Sequence, residues 1–368
     1  MEKVSAFLRR KDIVFSAKRY FIDAMSAMAQ GLFCTLLVGT ILNTLGTQLH
    51  IGFLTDIIVT LGKGDGAVGY TIGGLCSAMV GPGMAVAIGQ ALNAPPMVLF
   101  SLIPVGFATN AMGGAGGPLA VLFVAIIAAE IGKAVSKETK IDILVTPIVT
   151  ILSGIGAAAL IAAPIGTAAS AVGKAIMWAT ELQPFFMGII VSVVIGIALT
   201  LPISSAAICA ALGLTGLAGG AAVAGCCAQM VGFAVMSFRE NRWGGLAAQG
   251  LGTSMLQMGN IVRNPRIWIP PTLASAITGP IATCIFRMEM NGAAVSSGMG
   301  TCGLVGQIGV YTGWLADIEA GTKAAITAMD WVGLVLVCFV LPAILSWLIA
   351  LPLRKWGWIG EDDLKLDL

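Results

Sequence analysis

Charge is what this chain has least of. Asp, Glu, Lys and Arg together make up 10% of its 368 residues, against about 25% in a soluble domain, too little to wet a globular surface. Histidine is nearly missing too: His50 is the single one, and it has no ligand-type neighbour. No Cys-x-x-Cys occurs, and the eight cysteines lie almost entirely inside apolar stretches. A metal centre and a disulfide framework are therefore not expected, and the thiols read as small buried hydrophobes. The net charge of +2 carries no footprint of nucleic-acid binding, and no cofactor is expected.

What fills the chain instead is apolar. Hydrophobic residues reach 57%, and the mean hydropathy is +0.94. The excess is Ala, Ile, Leu, Val and Met, with 48 glycines and no Gly-X-Y period, which excludes collagen and disorder. Apolar runs of roughly twenty residues, rather than alternating segments of roughly ten, exclude a transmembrane barrel. The fold class is an all-α polytopic membrane protein of about ten transmembrane helices. The expected spans are 20–48, 68–92, 96–112, 115–135, 142–168, 183–201, 215–237, 268–286, 294–314 and 328–353.

The few charges mark topology. Lys3, Arg9, Arg10, Lys11, Lys18 and Arg19 precede the first span, and Lys63 is the one further Lys or Arg before Glu130. Residues 1–19 read as an amphipathic cytoplasmic segment and not as a cleavable signal peptide. Lys133, Lys137 and Lys140 form a second basic loop; Arg354-Lys355 and the acidic Glu361-Asp362-Asp363 open the tail 354–368. Basic flanks mark the cytoplasmic side, so both termini are expected there, which requires an even number of crossings. The location is the bacterial cytoplasmic (inner) membrane, with membrane lipid as one partner. Residues 20–168 form the first membrane half, 169–182 (with Lys174 and Glu181) an interfacial connecting helix, and 183–353 the second half.

Three segments are too short or broken for ordinary spans: Ile51–Leu61, Pro202–Leu214 and Leu246–Val262. Irregular backbone at membrane depth is tolerated where it lines a cavity or is buried in protein, and broken segments point to a transporter's substrate site. Beside them sit buried-looking polar residues: Ser204, Ser205, Thr215, Gln229, Gln249, Gln257, Asn260, Glu289, Asn291 and Gln307. Each alone reads as helix-to-helix glue; crowded into about a hundred residues, they suit a binding site, because amides and hydroxyls in hydrocarbon need partners. A cavity of amides, hydroxyls and one carboxylate fits a polyhydroxylated neutral solute. Glu289 either ion-pairs with Arg287 or accepts hydrogen bonds from that solute.

Other patterns carry less. Gly298-Met-Gly-Thr-Cys-Gly303 has the dinucleotide spacing, but no preceding strand supports it. Gly113-Gly-Ala-Gly-Gly-Pro118 reads as a tight turn between spans. Arg239-Glu-Asn-Arg242 and Arg263-Asn-Pro-Arg266 read as solvated caps, or as docking points for a soluble partner.

Several long runs are distinctive: Leu201-Pro-Ile-Ser-Ser-Ala-Ala-Ile, Cys226-Cys-Ala-Gln-Met-Val-Gly-Phe, Asn264-Pro-Arg-Ile-Trp-Ile-Pro-Pro-Thr and Gly298-Met-Gly-Thr-Cys-Gly-Leu-Val-Gly-Gln. The chain resembles the second group of phosphotransferase-system IIC membrane components, also labelled toxin (perfringolysin) regulators, most strongly from about 184 to 312. The resemblance implies a fold like the glucose superfamily of IIC permeases, with ten spans and two re-entrant hairpins. It also implies a homodimer formed by the first half, and a sugar or similar small polar solute moved by an elevator-like shift of the second. Phosphorylation would belong to separate IIA and IIB proteins, this chain having no catalytic residue of its own. In sugar-transporting relatives a histidine and a glutamate hold the substrate. His50 lies in the wrong half, and Glu289 is the available glutamate. The alternative reading is a membrane-embedded ligand sensor that keeps the fold without transport.

Overall fold

The computed structural model describes residues 2–62, 67–180 and 182–366. Lys63 and Glu181, named above, lie outside them. The chain divides into two compact units, Met1–Ala168 and Ala169–Leu368. Among the described residues five helices are long and apolar enough to cross a membrane, or six if one bent pair counts as a span.

In the first unit, α1 (Glu2–Arg10) precedes α2 (Arg19–Thr47). A short hairpin, β1 (Val59–Leu61) with β2 (Val68–Tyr70), takes the place of part of the expected broken segment Ile51–Leu61. It is the one departure from helix in regular structure among the described residues. Then come α3 (Ile72–Ala78) and α4 (Val80–Ala91), bent by 53°, α5 (Pro96–Gly113) and α6 (Gly117–Val135). α5 and α6 form an antiparallel pair: Gly132 seats against Val98 at one end and Gly117 against Asn110 at the other. The reversal is the glycine turn 113–117, where Gly114 has φ +51°. α7 (Asp142–Thr180) is one continuous helix, so residues 169–180 are its last turns.

The scattered basic residues of this unit gather at one end. Lys133 Nζ donates to the carbonyls of Asp12 (2.7 Å) and Leu92 (2.8 Å). Arg19 pairs with Asp12 at 2.6 Å, and Asn93 donates to the same carboxylate at 3.0 Å. Lys11 reaches Ser136 and Glu138. A lysine only 1% exposed on its side chain is tolerable because two carbonyls and Glu130 compensate its charge.

The second unit is built around α10 (Gly216–Met236), of whose apolar window 94% is buried. Small residues let neighbours approach it closely. A Cβ on Gly220 would collide with the Met288 carbonyl, and one on Gly225 with that of Ser192. α8 (Pro184–Thr200) runs parallel to α10, and α12 (Ile269–Pro280) antiparallel to both. Ser192 donates to the Ser275 carbonyl (2.8 Å) and Thr283 to that of Pro184 (2.8 Å), while Gly232 packs on Pro271. α14 (Ala328–Lys355) follows α10 from Val337 and Cys338, clustered with Val223 and Cys227, to Arg354, which donates to the Met236 carbonyl at 3.0 Å.

Three segments of this unit leave one end and return to it. α8 and α10 are parallel, so the chain between them must come back; it does so through α9 (Ser205–Leu212), closed by Gly213 at φ +59°. Residues 237–264 leave the other end of α10, where Gln257 donates to Gln249 (2.9 Å) across the two arms. Residues 290–319 start from the Met290–Gly216 bridge, reach Thr301 beside the Met230 sulfur at 3.5 Å, and return along α13 (Val305–Glu319). Asn291 then donates to Asp317 at 2.9 Å, tying the two bases together.

This corrects the span reading. Residues 294–314 do not run from one end of the unit to the other: they turn back beside Met230 and return to the Met290 end. Hydropathy hides this reversal, because the turn is made inside an apolar run by Gly300 and Gly303, and by Leu304 at φ +59°.

Candidate functional site

The polar residues of the second unit fall into separate groups. The first lies two-thirds of the way along α10. The Gln229 carbonyl oxygen accepts from Trp268 Nε1 (2.9 Å) and Thr200 (3.3 Å), and its amide faces Thr272 (3.3 Å) and Ser275 (3.5 Å). Thr200 shares a 2.7 Å bond with Ser254, at the tip of the 237–264 excursion. Thr301, at the tip of the 290–319 excursion, lies against Met230, the next residue of α10. The turn Cys302–Leu304 packs on Ala248–Gly252. Two chain reversals from opposite ends of the unit thus meet at residues 229–230.

Gln307 belongs here. Its amide nitrogen donates to Cys227 Sγ at 3.1 Å, on the same face of α10 as Met230, since positions i and i+3 are helix neighbours. Its Oε1 is buried with no hydrogen-bond partner among the described residues. Thr301 offers its hydroxyl only to a thioether. Unmet hydrogen-bonding capacity at a buried position is uncommon and calls for a cause.

The second group does something else. Gln249, Gln257 and Asn260 form a chain of amides, with Asn260 donating to Gln257 (2.8 Å). Its far end binds the chain's own tail: Gln257 donates to the Leu364 carbonyl (2.9 Å) and Asn260 to that of Lys365 (2.8 Å). Asn264 donates to Trp358 O (2.8 Å) and Asp363 (2.7 Å). The loops 239–242 and 263–266 are covered in part by the same tail. Arg239 faces Glu361 at 3.4 Å, and Arg266 lies over the Trp358 ring at 5.1 Å.

The third group lines a cavity of about 350 Å³ at the base of the 290–319 excursion, bordered by Arg287, Glu289, Asn291, Trp314, Asp317, Thr322, Lys323 and Asp330. Glu289 is exposed and takes its hydrogen bond from Asn291 (3.1 Å) rather than from Arg287. Thr215 is exposed nearby, next to Gly216, whose N–H donates to Asn291 (3.1 Å). Donors and acceptors of both charges line one opening beside an indole, and a volume above about 300 Å³ is in the range of small-molecule sites. Sequence reading missed Asp317, Lys323, Asp330 and Trp314; the cluster Asp317-Ile-Glu319 with Lys323 was the available signal.

Ser204 and Ser205 stand apart. Ser204 caps α9 by accepting from Ala207 N (3.2 Å), and Ser205 donates to the Gly298 carbonyl (2.7 Å). The latter bond ties α9 to the Gly298–Gly303 stretch, which forms tight turns with no strand before it. Cys226 and Cys227 are free and buried.

Among the described residues no group of three or more His, Cys, Asp or Glu could hold a metal ion. Comparison with curated proteins and with solved structures gives no match. Long apolar helices, a polar cavity and tight buried turns in the second unit are features a membrane permease needs. The family model described as phosphotransferase system, EIIC, matches residues 22–366, nearly the whole chain, which therefore belongs to that family.

Proposed function

We propose that this protein is the membrane permease component of a phosphotransferase system and carries a sugar or similar polyhydroxylated solute by alternating access. The observation that carries the reading is the meeting of two chain reversals at Gln229 and Met230, with Gln307 Oε1 left without a partner. Broken segments entering from opposite ends and meeting mid-way are how transporters build a site inside the membrane. In this reading the solute enters by the cavity at Glu289, Asn291 and Thr215, and its hydroxyls are taken up by Gln307, Thr301, Ser254 and Gln229. Gln257 and Asn260 hold the 237–264 reversal in place, and Ser204 and Ser205 hold α9.

The membrane topology follows from charge. In each unit the end rich in Lys and Arg faces the cytoplasm, as the positive-inside rule requires. The reversals 184–215, 237–264 and 290–319 are re-entrant, which lowers the number of crossings below ten while leaving both termini cytoplasmic. The second unit moves as the elevator, and the first supplies the homodimer contact. Support for the latter is the exposed apolar face of α7 that carries Leu144, Ile148 and Leu152.

The test is uptake by purified protein in proteoliposomes against a panel of labelled sugars, with and without a IIB partner and a phosphate donor. Flux that depends on the partner supports vectorial phosphorylation. Measurable solute binding with no flux under either condition would favour a sensor.

A further inference from the structure

The basic end of the second unit holds a cavity that the transport reading does not use. It measures about 480 Å³ and lies between the end of α10, the following helix α11 (Phe238–Ala247), and the last turns of α14. Its walls are apolar, with Val235, Leu246, Trp347 and Leu351 among them, and its polar border is three arginines, Arg239, Arg242 and Arg354. Arg354 already serves Glu240 at 2.8 Å. Arg239 faces Glu361 across 3.4 Å, with both side chains at least 74% exposed. Arg242 has no partner among the described residues, and its backbone is held at φ 52°, ψ −149°, a conformation costly for a residue with a Cβ.

Trp347 and Arg354 are seven residues apart on one helix, about 10 Å along its axis. In the orientation proposed above, the cavity runs from the headgroup level down to the first acyl carbons. Trp347 is 50% exposed and Leu351 36%, open to the hydrocarbon side. We infer that this cavity binds an anionic phospholipid, its phosphate held by Arg242 and Arg239 and one acyl chain laid along Trp347 and Leu351. Basic pockets between helices on the cytoplasmic side recognise such headgroups. The apolar wall below the arginines selects a lipid over a free anion.

The test is native mass spectrometry of the full chain in detergent, with phosphatidylglycerol or phosphatidylcholine added. The expected result is preferential retention of phosphatidylglycerol by the wild type. Affinity should fall about fivefold in Arg242→Ala and further in Arg239→Ala/Arg242→Ala, both leaving the Arg354–Glu240 pair intact. Arg263→Ala, at the same end but outside the cavity, should bind as the wild type does. Equal retention of the two lipids would overturn the proposal, as would an equal loss in Arg263→Ala, which signals diffuse attraction. Competition by inorganic phosphate at comparable concentration would mean a free-anion site and would overturn it too.

Discussion

At Gly225 the chain of α10 passes so close to the Ser192 carbonyl that a methyl group has no room. Overpacking of this kind, with backbone as the obstacle, costs about 1–3 kcal/mol. Gly225→Ala should accordingly lower the thermal unfolding midpoint in detergent, whereas Gly156→Ala, where a Cβ would meet nothing, should not. Asp12 gives a pH-dependent counterpart. The Arg19 guanidinium bonded to it holds its carboxyl down from 3.8 to about 2. A depressed acid lends stability above its unfolded value, so that contribution is whole above about pH 4 and is lost as pH falls toward 2. Asp12→Asn should flatten the acid limb of stability in this window; an unchanged limb would refute the assignment. At this scale the sequence was readable in part. An amide in an apolar run announces burial, so Gln229, Gln257 and Gln307 were found. Their partners were not, because the Leu364 carbonyl that receives Gln257 is backbone and has no mark in composition.

Among the elements, the 290–319 reversal is the clearest departure from expectation. Residues 294–314 are apolar enough to be read as a span, and hydropathy has no means of sensing that Gly300, Gly303 and Leu304 turn the chain back. The α5–α6 turn, by contrast, was legible because five residues of mostly glycine interrupt an otherwise continuous run. The two readings of 290–319 differ in a measurable way. Single cysteines at Asn291 and at Thr322, in a background with native cysteines replaced, should react with a membrane-impermeant thiol reagent from the same side. Labelling from opposite sides would restore a crossing there. A milder form of the argument applies to the tail. Truncation after Lys355 removes the tail acceptors of Gln257, Asn260 and Asn264, leaving Gln257 its bond to Gln249 and Asn260 its bond to Gln257, and each hydrogen bond lost costs about 0.5–1.5 kcal/mol. The truncated chain should unfold at lower temperature and show faster hydrogen exchange across 244–263; intact protection there would contradict a holding role.

For the molecule as a whole, composition identified the solvent and the family match identifies the class, while the site emerges only where the reversals of the second unit converge. Half of the ten polar residues singled out by sequence make scaffold contacts: Ser204 and Ser205 bond within and beside α9, and Gln249, Gln257 and Asn260 form the amide chain that meets the tail. Gln229 and Gln307 face the convergence, and Glu289 and Asn291 stand at the cavity mouth. The division was not legible because both tasks draw on the same residue types at the same hydropathy. The account turns on Gln307, whose buried Oε1 has no hydrogen-bond partner among the described residues. The decisive measurement is initial uptake rate in proteoliposomes for the wild type and Gln307→Leu, with folding of both checked by thermal midpoint. The account predicts a loss of at least about tenfold in the variant with its midpoint unchanged or raised. Wild-type uptake by Gln307→Leu would contradict it.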